Sequence, residues 1–517
     1  MIFPVLPLCF LAFPVPLLAQ SGGVLYRIDG AHTYAGQGGA LASCGDLNGD
    51  GISDLLIGGD QYITYGATSA RVISGADGSE IFSWTGLTNA EAVAGAGDVN
   101  ADGIPDVIVG SIWTNSGGGQ AKVFSGADGT LLHTFNGTGA DYLGNAVSGA
   151  GDVNADGHAD LLVGAWGESS FLGYSGTAYV YSGLDGTVLR KYIGLIDHGY
   201  FGGSVANMGD VDGDSIPDQL IGELGNDSLG YNTGAVYLYS GATGQLIHSW
   251  VGPHGNSRFG NRIASVGDID GDGLSDCVVA APFQIPTGTA HVLSSGTGMT
   301  LFSLKGYDPD EVFAKSVSGA GDVNADGIPD ILVGSDRWYV AGGYTGLARI
   351  FSGATGEELQ RFSPTTPDGR CGLAVTGVGD WNADGLGDWA VGAPAEGISG
   401  YKSGSTYIIS GKLQGVLLST ENFGPGDFAV FRVKGGTPLG IAFLAYSIQG
   451  GGPSQTPFGE VALTQPFHTL PALDLSLNGD AELVQYLPHS IAGTTIWTQA
   501  LDFTTGNLSN PNPLRVY

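Results

Sequence analysis

Asp152-Val153-Asn154-Ala155-Asp156-Gly157-His158-Ala159-Asp160 carries side-chain oxygens at positions 1, 3, 5 and 9 of a nine-residue segment, with glycine at position 6. Hard oxygen ligands at alternating positions around a glycine turn are what a calcium ion takes from a short stretch of chain. The pattern occurs seven times, and the expected ligand sets follow from it. They are Asp46, Asn48, Asp50 and Asp54; Asp98, Asn100, Asp102 and Asp106; Asp152, Asn154, Asp156 and Asp160; and Asp210, Asp212, Asp214 and Asp218. Then come Asp268, Asp270, Asp272 and Asp276; Asp322, Asn324, Asp326 and Asp330; and Asp380, Asn382, Asp384 and Asp388. Position 7 can add its backbone carbonyl. An EF-hand would close on a glutamate at position 12 between helices. Here position 9 is always aspartate, and a strand-like run such as Leu161-Leu162-Val163 follows. Asp, Asn and Gly also favour ordinary turns, but turn chemistry does not require a carboxylate at position 9 in seven copies. Up to seven calcium ions are expected. Short extracellular loops of this kind bind at roughly 10⁻⁴–10⁻³ M, which suits a structural role. Ser215 stands where the other loops have glycine, and a positive φ there would cost about 1 kcal/mol.

Catalytic patterns are missing from the sequence. It has no His-rich metal cluster, no Gly-x-Ser-x-Gly elbow in a strand–helix setting and no phosphate-cradling loop. Asp308, Asp310 and Glu311 beside Lys305 read as a solvated acidic loop rather than an acid–base group.

The elements that carry the loops repeat with them. Successive loops start 52, 54, 58, 58, 54 and 58 residues apart. A period of this length, seven times over, points to a closed propeller. The third unit shows the plan: Ala146 to Gly151 leads into the loop, Leu161 to Ala165 is apolar throughout, Thr177 to Tyr181 alternates, and Thr187 to Ile193 forms an outer strand after the Gly183–Gly186 turn. Four antiparallel strands make a propeller blade. Val24 to Gly30 matches a fourth strand but precedes the first loop, so it is a candidate to complete the seventh blade; residues 415–420 compete for the same place.

The chain has 517 residues, 91 of them glycine, and a net charge of −32. Much of the acidity belongs to the metal loops, and so acidic a chain is a poor partner for nucleic acid or an anionic membrane. Cys44, Cys277 and Cys371 sit at different places in their repeats and read as small core residues; Cys9 lies in the leader. Residues 1–19 are an apolar run ending at Ala19 and read as a signal peptide, although Pro4, Pro7, Pro14 and Pro16 and the lack of Lys or Arg before Arg27 depart from the usual leader. The same prolines argue against a membrane anchor, and no later run is long enough to span a bilayer.

Phe201-Gly202-Gly203-Ser204-Val205, Phe259-Gly260-Asn261-Arg262-Ile263 and Tyr142-Leu143-Gly144, with later runs such as Val163-Gly164-Ala165, resemble FG-GAP repeats. These are the units of the integrin alpha-chain propeller and of many bacterial secreted proteins. The resemblance covers residues 22–420 and implies an all-β, seven-bladed β-propeller with its calcium loops on one face. Glu91-Ala92 and Cys371-Gly372 depart from the Phe-Gly pair, which bears on packing detail. Residues 421–517 have no calcium loop; alternating runs such as Phe428 to Val433 read as a small C-terminal β-sandwich-like domain.

A ligand is expected on the face opposite the calcium loops, built from the connections after the second and fourth strands. Those connections carry Trp113, Trp166, Phe171, Phe283, Trp338 and Tyr339, with Asp197, His198, His254, Arg258, Asp308, Asp310, Glu311, Asp336 and Arg337 as polar neighbours. Tyr174, Tyr231, Tyr344 and Tyr401 recur at one place before the third strand and are assigned to blade packing. The leading expectation is a secreted or cell-surface calcium-binding propeller, an adhesion module for an extracellular protein or glycan, without catalysis. The alternative is a polysaccharide-active enzyme, a lyase or hydrolase, which Arg, His and Tyr converging in one pocket would favour. A surface-layer component that self-assembles is a third reading.

Overall fold

The computed structural model describes residues 23–59, 68–85, 87, 90–169, 173–340, 343–364 and 366–411, and beyond these only the strands between Leu417 and Arg515. Residues 1–19, read as a leader, lie outside the described residues. The chain divides into a unit holding Val24–Lys412 and a second holding Leu413–Tyr517.

The first unit is a seven-bladed propeller of four-stranded antiparallel sheets, at 37–85, 92–136, 147–193, 201–251, 263–305, 316–362 and 374–409. In each blade the second strand is buried along its whole length, as in Asp160–Ala165, because neighbouring blades cover both of its faces. This is why those strands read as unbroken apolar runs. The inner strands touch both neighbours around the ring, and the seventh touches the first. Apolar clusters lie between successive blades rather than within them. Val163 and Phe135 sit in one such cluster, Leu220 and Val279 in another, and Leu55 and Ile408 in the one that joins first and last.

The competition to close the ring is won by the N-terminal strand. Val24–Asp29 pairs antiparallel with Ser405–Ile409 and supplies the fourth strand of the seventh blade. Its Arg27 lies over the Tyr407 ring at 5.3 Å and bonds Asp29 at 2.9 Å. Leu417–Glu421 pairs with Phe428–Lys434 in the second unit instead.

Glycine is required where the blades meet. Gly202 has φ +77°, and a Cβ there would lie 2.3 Å from the Thr177 carbonyl oxygen. A Cβ on Gly164, in the preceding blade, would lie 2.1 Å from the Gly202 carbonyl oxygen. The two glycines of the repeat therefore pack backbone to backbone across the blade boundary. Where the Phe-Gly pair is lost, Cys371 is fully buried and keeps the bridge to Gly346 that Phe201 makes to Gly176. Cys44, Cys277 and Cys371 are free and buried, as small core residues.

The strands of the second unit form a three-stranded sheet that includes Phe428–Lys434 and Ala481–Tyr486, a sheet built on Ile441–Ser447 and Thr495–Asp502, and a short hairpin.

Candidate metal loops and a basic, aromatic cleft

Each acidic loop joins the first and second strands of its blade. In all seven, Oδ2 of position 1 accepts the backbone N–H of position 6, as Asp152 does from Gly157 at 2.8 Å. Position 5 accepts the N–H of position 7, and position 3 that of position 5, as Asp156 does from His158 and Asn154 from Asp156. The loop thus folds around its own carboxylates and crowds them together, with position 1 half-buried and position 5 exposed. Asp210, Asp212 and Asp214 bring carboxylate oxygens within 4.8 Å of one another, and so do Asp268, Asp270 and Asp276. These two all-carboxylate sets could hold a metal ion; in the other five loops an asparagine stands at position 3. Ser215 has φ +72°, the left-handed backbone its position requires.

Position 9 has a structural task that sequence reasoning missed. Its aspartate is fully buried in every loop. Asp160 accepts the Val153 N–H at 2.8 Å through one oxygen and the Gly183 N–H at 2.9 Å through the other. The same double acceptance recurs from Asp54 through Asp388, so each of these carboxylates staples its loop to the turn after the third strand. Burial pushes these carboxyls up, against the opposing pull of their N–H donors. Asp218, Asp276, Asp330 and Asp388 are pushed up to about 6.

Antiparallel connectivity puts the connections after the second and fourth strands on the opposite face. There a cleft of about 1010 Å³ opens at the mouth of the central channel. Arg258, Arg262, Lys315 and Arg370 enter it from the starts of the fifth, sixth and seventh blades. Trp166, His198, Tyr200 and Tyr231 enter from the third and fourth. Trp166 stacks on Tyr142 at 4.7 Å and meets Tyr200 edge-on at 5.2 Å, while Tyr174 stacks beside Tyr200. His198 Nδ1 lies 2.7 Å from an Asp197 oxygen. Lys315 is held below its ordinary pKa by burial first, and then by repulsion from Arg262, Arg370 and Arg337 against the pull of Asp336. Arg262 reaches solvent, yet the ring of inner strands around it lowers its pKa by desolvation; a guanidinium remains a cation at neutral pH.

One backbone position of the repeat supplies three residues that line this cleft, Tyr200, Arg258 and Arg370. The residue before the Phe-Gly pair is left-handed in five blades: Tyr142, Tyr200, Arg258, Val312 and Arg370 have φ between +49° and +57°. Its backbone is fixed by the repeat, and its side chain is free to vary.

The FG-GAP repeat family matches residues 143–181 and 313–351, the segments that run through the third and sixth blades. The chain carries FG-GAP repeats. It is 31% identical over 213 residues to integrin alpha-V of Gallus gallus, across 38% of this chain and 20% of that protein. It is 31% identical over 206 residues to integrin alpha-5 of Xenopus laevis (36% and 19%), and 33% over 181 residues to integrin alpha-2 of Bos taurus (31% and 15%). The chain thus aligns with a fifth or less of the length of these relatives.

On this FG-GAP framework the sequence-predicted ligand residues scatter. Trp166 lines the cleft. Trp113 is exposed and meets Tyr142 edge-on at 5.9 Å, and Phe283 lies under Arg258 at 5.1 Å. Trp338 is half-buried near Tyr307. Phe171 and the side chain of Tyr339 lie outside the described residues. Two readings are corrected. Tyr174, Tyr231, Tyr344 and Tyr401 stand exposed on this face, Tyr231 at 70%, rather than packing between blades. Glu311 does not belong to a solvated loop: it is buried against the equally buried Arg349, which sits over the Tyr307 and Phe313 rings, while Asp308 and Asp310 stay in solvent. Asp336 is likewise buried and pairs with Arg370 at 2.9 Å. Of the cations at the channel mouth, Arg258 was among the expected polar neighbours, and Arg262, Lys315 and Arg370 were overlooked. Arg262 and Lys315 each directly precede an inner strand; in aligned repeats Arg370 falls on Arg258, while Lys315 falls on Asn261, one place before Arg262.

Proposed function

We propose that this protein is an exported calcium-stabilised FG-GAP propeller that recognises an extracellular ligand through the cleft opposite its metal loops. The observation that carries the reading is the division of labour between the faces. Seven acidic loops crowd one end of the blades, and the aromatic and basic cleft opens at the other. In this reading the residues at loop positions 1, 3, 5 and 9 hold calcium, residues 1–19 direct export, and 421–517 form a sandwich-like module. Similarity to integrin alpha chains supports an adhesion or ligand-binding role. The test is retention on immobilised extracellular proteins and polysaccharides, in calcium and in chelator, of the parent and of a Trp166→Ala, Tyr231→Ala variant. Retention that calcium supports and the variant loses is expected; a variant that binds as well as the parent would move the ligand off this face.

A second reading is favoured by one observation. Arg258, Arg262, His198, Tyr200 and Tyr231 do converge in one pocket, the arrangement that suits a polysaccharide lyase or hydrolase. Shortening of a bound polysaccharide would establish that reading, and intact chain length after prolonged incubation would remove it.

A further inference from the structure

Eighteen lysines and arginines serve the whole chain against a net charge of −32, yet four of them line one channel mouth. They are segregated within it. Arg258, Arg262, Lys315 and Arg370 come from the connections leading into blades five to seven, and the lining carboxylates Glu91, Asp197 and Asp227 come from blades two to four. Asp197 is engaged with His198, and Asp227 accepts the Asn232 N–H at 2.6 Å. Arg370 is shared with Asp336. Among the described residues, the Arg262 side chain bonds a backbone carbonyl, that of Asn261, and Arg258 rests on the Phe283 ring. Lys315 lies within electrostatic reach of Arg262, Arg370 and Arg337, with Asp336 as the opposing charge, and an anion bridging the cations of this mouth relieves the repulsion among them. The other half of the cleft is a different surface: Trp166, Tyr200, Tyr231 and His198, with Tyr174 stacked behind, offer flat apolar rings with polar edges.

We propose that this mouth binds an acidic polysaccharide, with Arg258, Arg262 and Lys315 meeting its carboxylate or sulfate groups and the Trp166–Tyr200–Tyr231 wall stacking on its sugar rings. The inference rests on the cleft being the ligand face, as proposed above, and adds the class of ligand. A chain of sugars alternates apolar ring faces with charged substituents, and the cleft offers both kinds of surface side by side. An acidic peptide would use the cations and leave the ring wall without a matching surface. The volume of about 1010 Å³ lies at the upper end of small-ligand pockets, enough for a segment of several sugars. Ionic contacts in so open a mouth weaken with added salt.

The test uses the whole protein in calcium. Hyaluronan, galacturonate oligomers and dextran sulfate serve as acidic glycans, dextran as the neutral one, and poly-glutamate as the acidic peptide. Binding is followed by titration for the parent, for Arg262→Ala with Lys315→Ala, for Arg262→Lys, and for Tyr231→Ala, with melting temperature as the check on folding. The expected result is salt-sensitive binding or shortening of at least one acidic glycan. It should weaken roughly tenfold or more in the double alanine variant and in Tyr231→Ala, and be largely kept in Arg262→Lys. Dextran and poly-glutamate should not bind. Poly-glutamate captured in place of every glycan, or a glycan bound equally well by the double variant, overturns the inference and leaves the ligand face standing. No binding of any acidic glycan overturns it too. If protein ligands also fail to bind this face, the broader reading falls with it.

Discussion

At the residue scale the acidic loops combine two kinds of aspartate that the sequence does not distinguish. Asp272, at position 5, is exposed and gives one oxygen to the Leu274 N–H. Asp276, at position 9, is buried and gives both, to Ile269 and Ser295. Asp272→Asn keeps its hydrogen bond through the amide oxygen, so its melting temperature is expected to fall in calcium and hold in chelator. Asp276→Asn sets an amide N–H₂ against a backbone N–H and should cost about 1–3 kcal/mol in both conditions. Equal behaviour of the two variants in chelator would contradict the stapling role. The buried carboxyls also predict a pH dependence. Their folded pKa of about 6 lies above the free value, so without metal they favour folding most below about pH 4 and lose that contribution as pH rises through about 6. A bound cation needs them ionised. The gap between melting temperatures in calcium and in chelator should therefore shrink between about pH 7 and pH 5, and a gap constant over that range would count against metal at position 9. The loops were legible in the sequence because one pattern recurs seven times. The staple was not, because its donors are backbone amides that any residue supplies.

At the element scale, the repeat brings its blades together through close glycine contacts as well as through the apolar clusters between them. Gly164→Ala would place a Cβ 2.1 Å from a backbone oxygen of the next blade, which neither strand can yield without opening the boundary. A loss of about 1–3 kcal/mol or more is expected from such overpacking, read as a lower denaturant midpoint at unchanged slope. An unaltered midpoint would mean that the blades are looser than they stand here. Blade strands were legible from their alternation and from the unbroken apolar second strand. Ring closure was not, since Val24–Asp29 and residues 415–420 both carry strand-like patterns and only three-dimensional pairing with Ser405–Ile409 separates them. The recurring tyrosines misled for a related reason. Tyr174 and Tyr231 hold a structurally fixed place in the repeat, but the face they occupy is exposed, so recurrence did not imply burial. Glu311 misled in the opposite sense: beside Asp308 and Asp310 it looked solvated, and its partner Arg349 lies 38 residues away.

For the whole molecule, the faces at the two ends of the blades have separate chemistry on one scaffold. Carboxylates gather where first strands hand over to second, and cations and rings gather where each blade begins, so the net charge of −32 conceals a basic mouth. Each inner strand runs from the cleft face to an acidic loop, as Ile263–Gly267 does from Arg262 to Asp268. In the proposed reading, a metal that stiffens the loops would thereby steady the strands that carry the cleft. The most direct measurement is calcium content by metal analysis of the dialysed protein, paired with thermal melts before and after chelation. The account predicts several calcium ions per chain and a melting temperature that drops by many degrees when they are stripped and recovers on their return. A protein that retains no calcium and melts at the same temperature in chelator would contradict it.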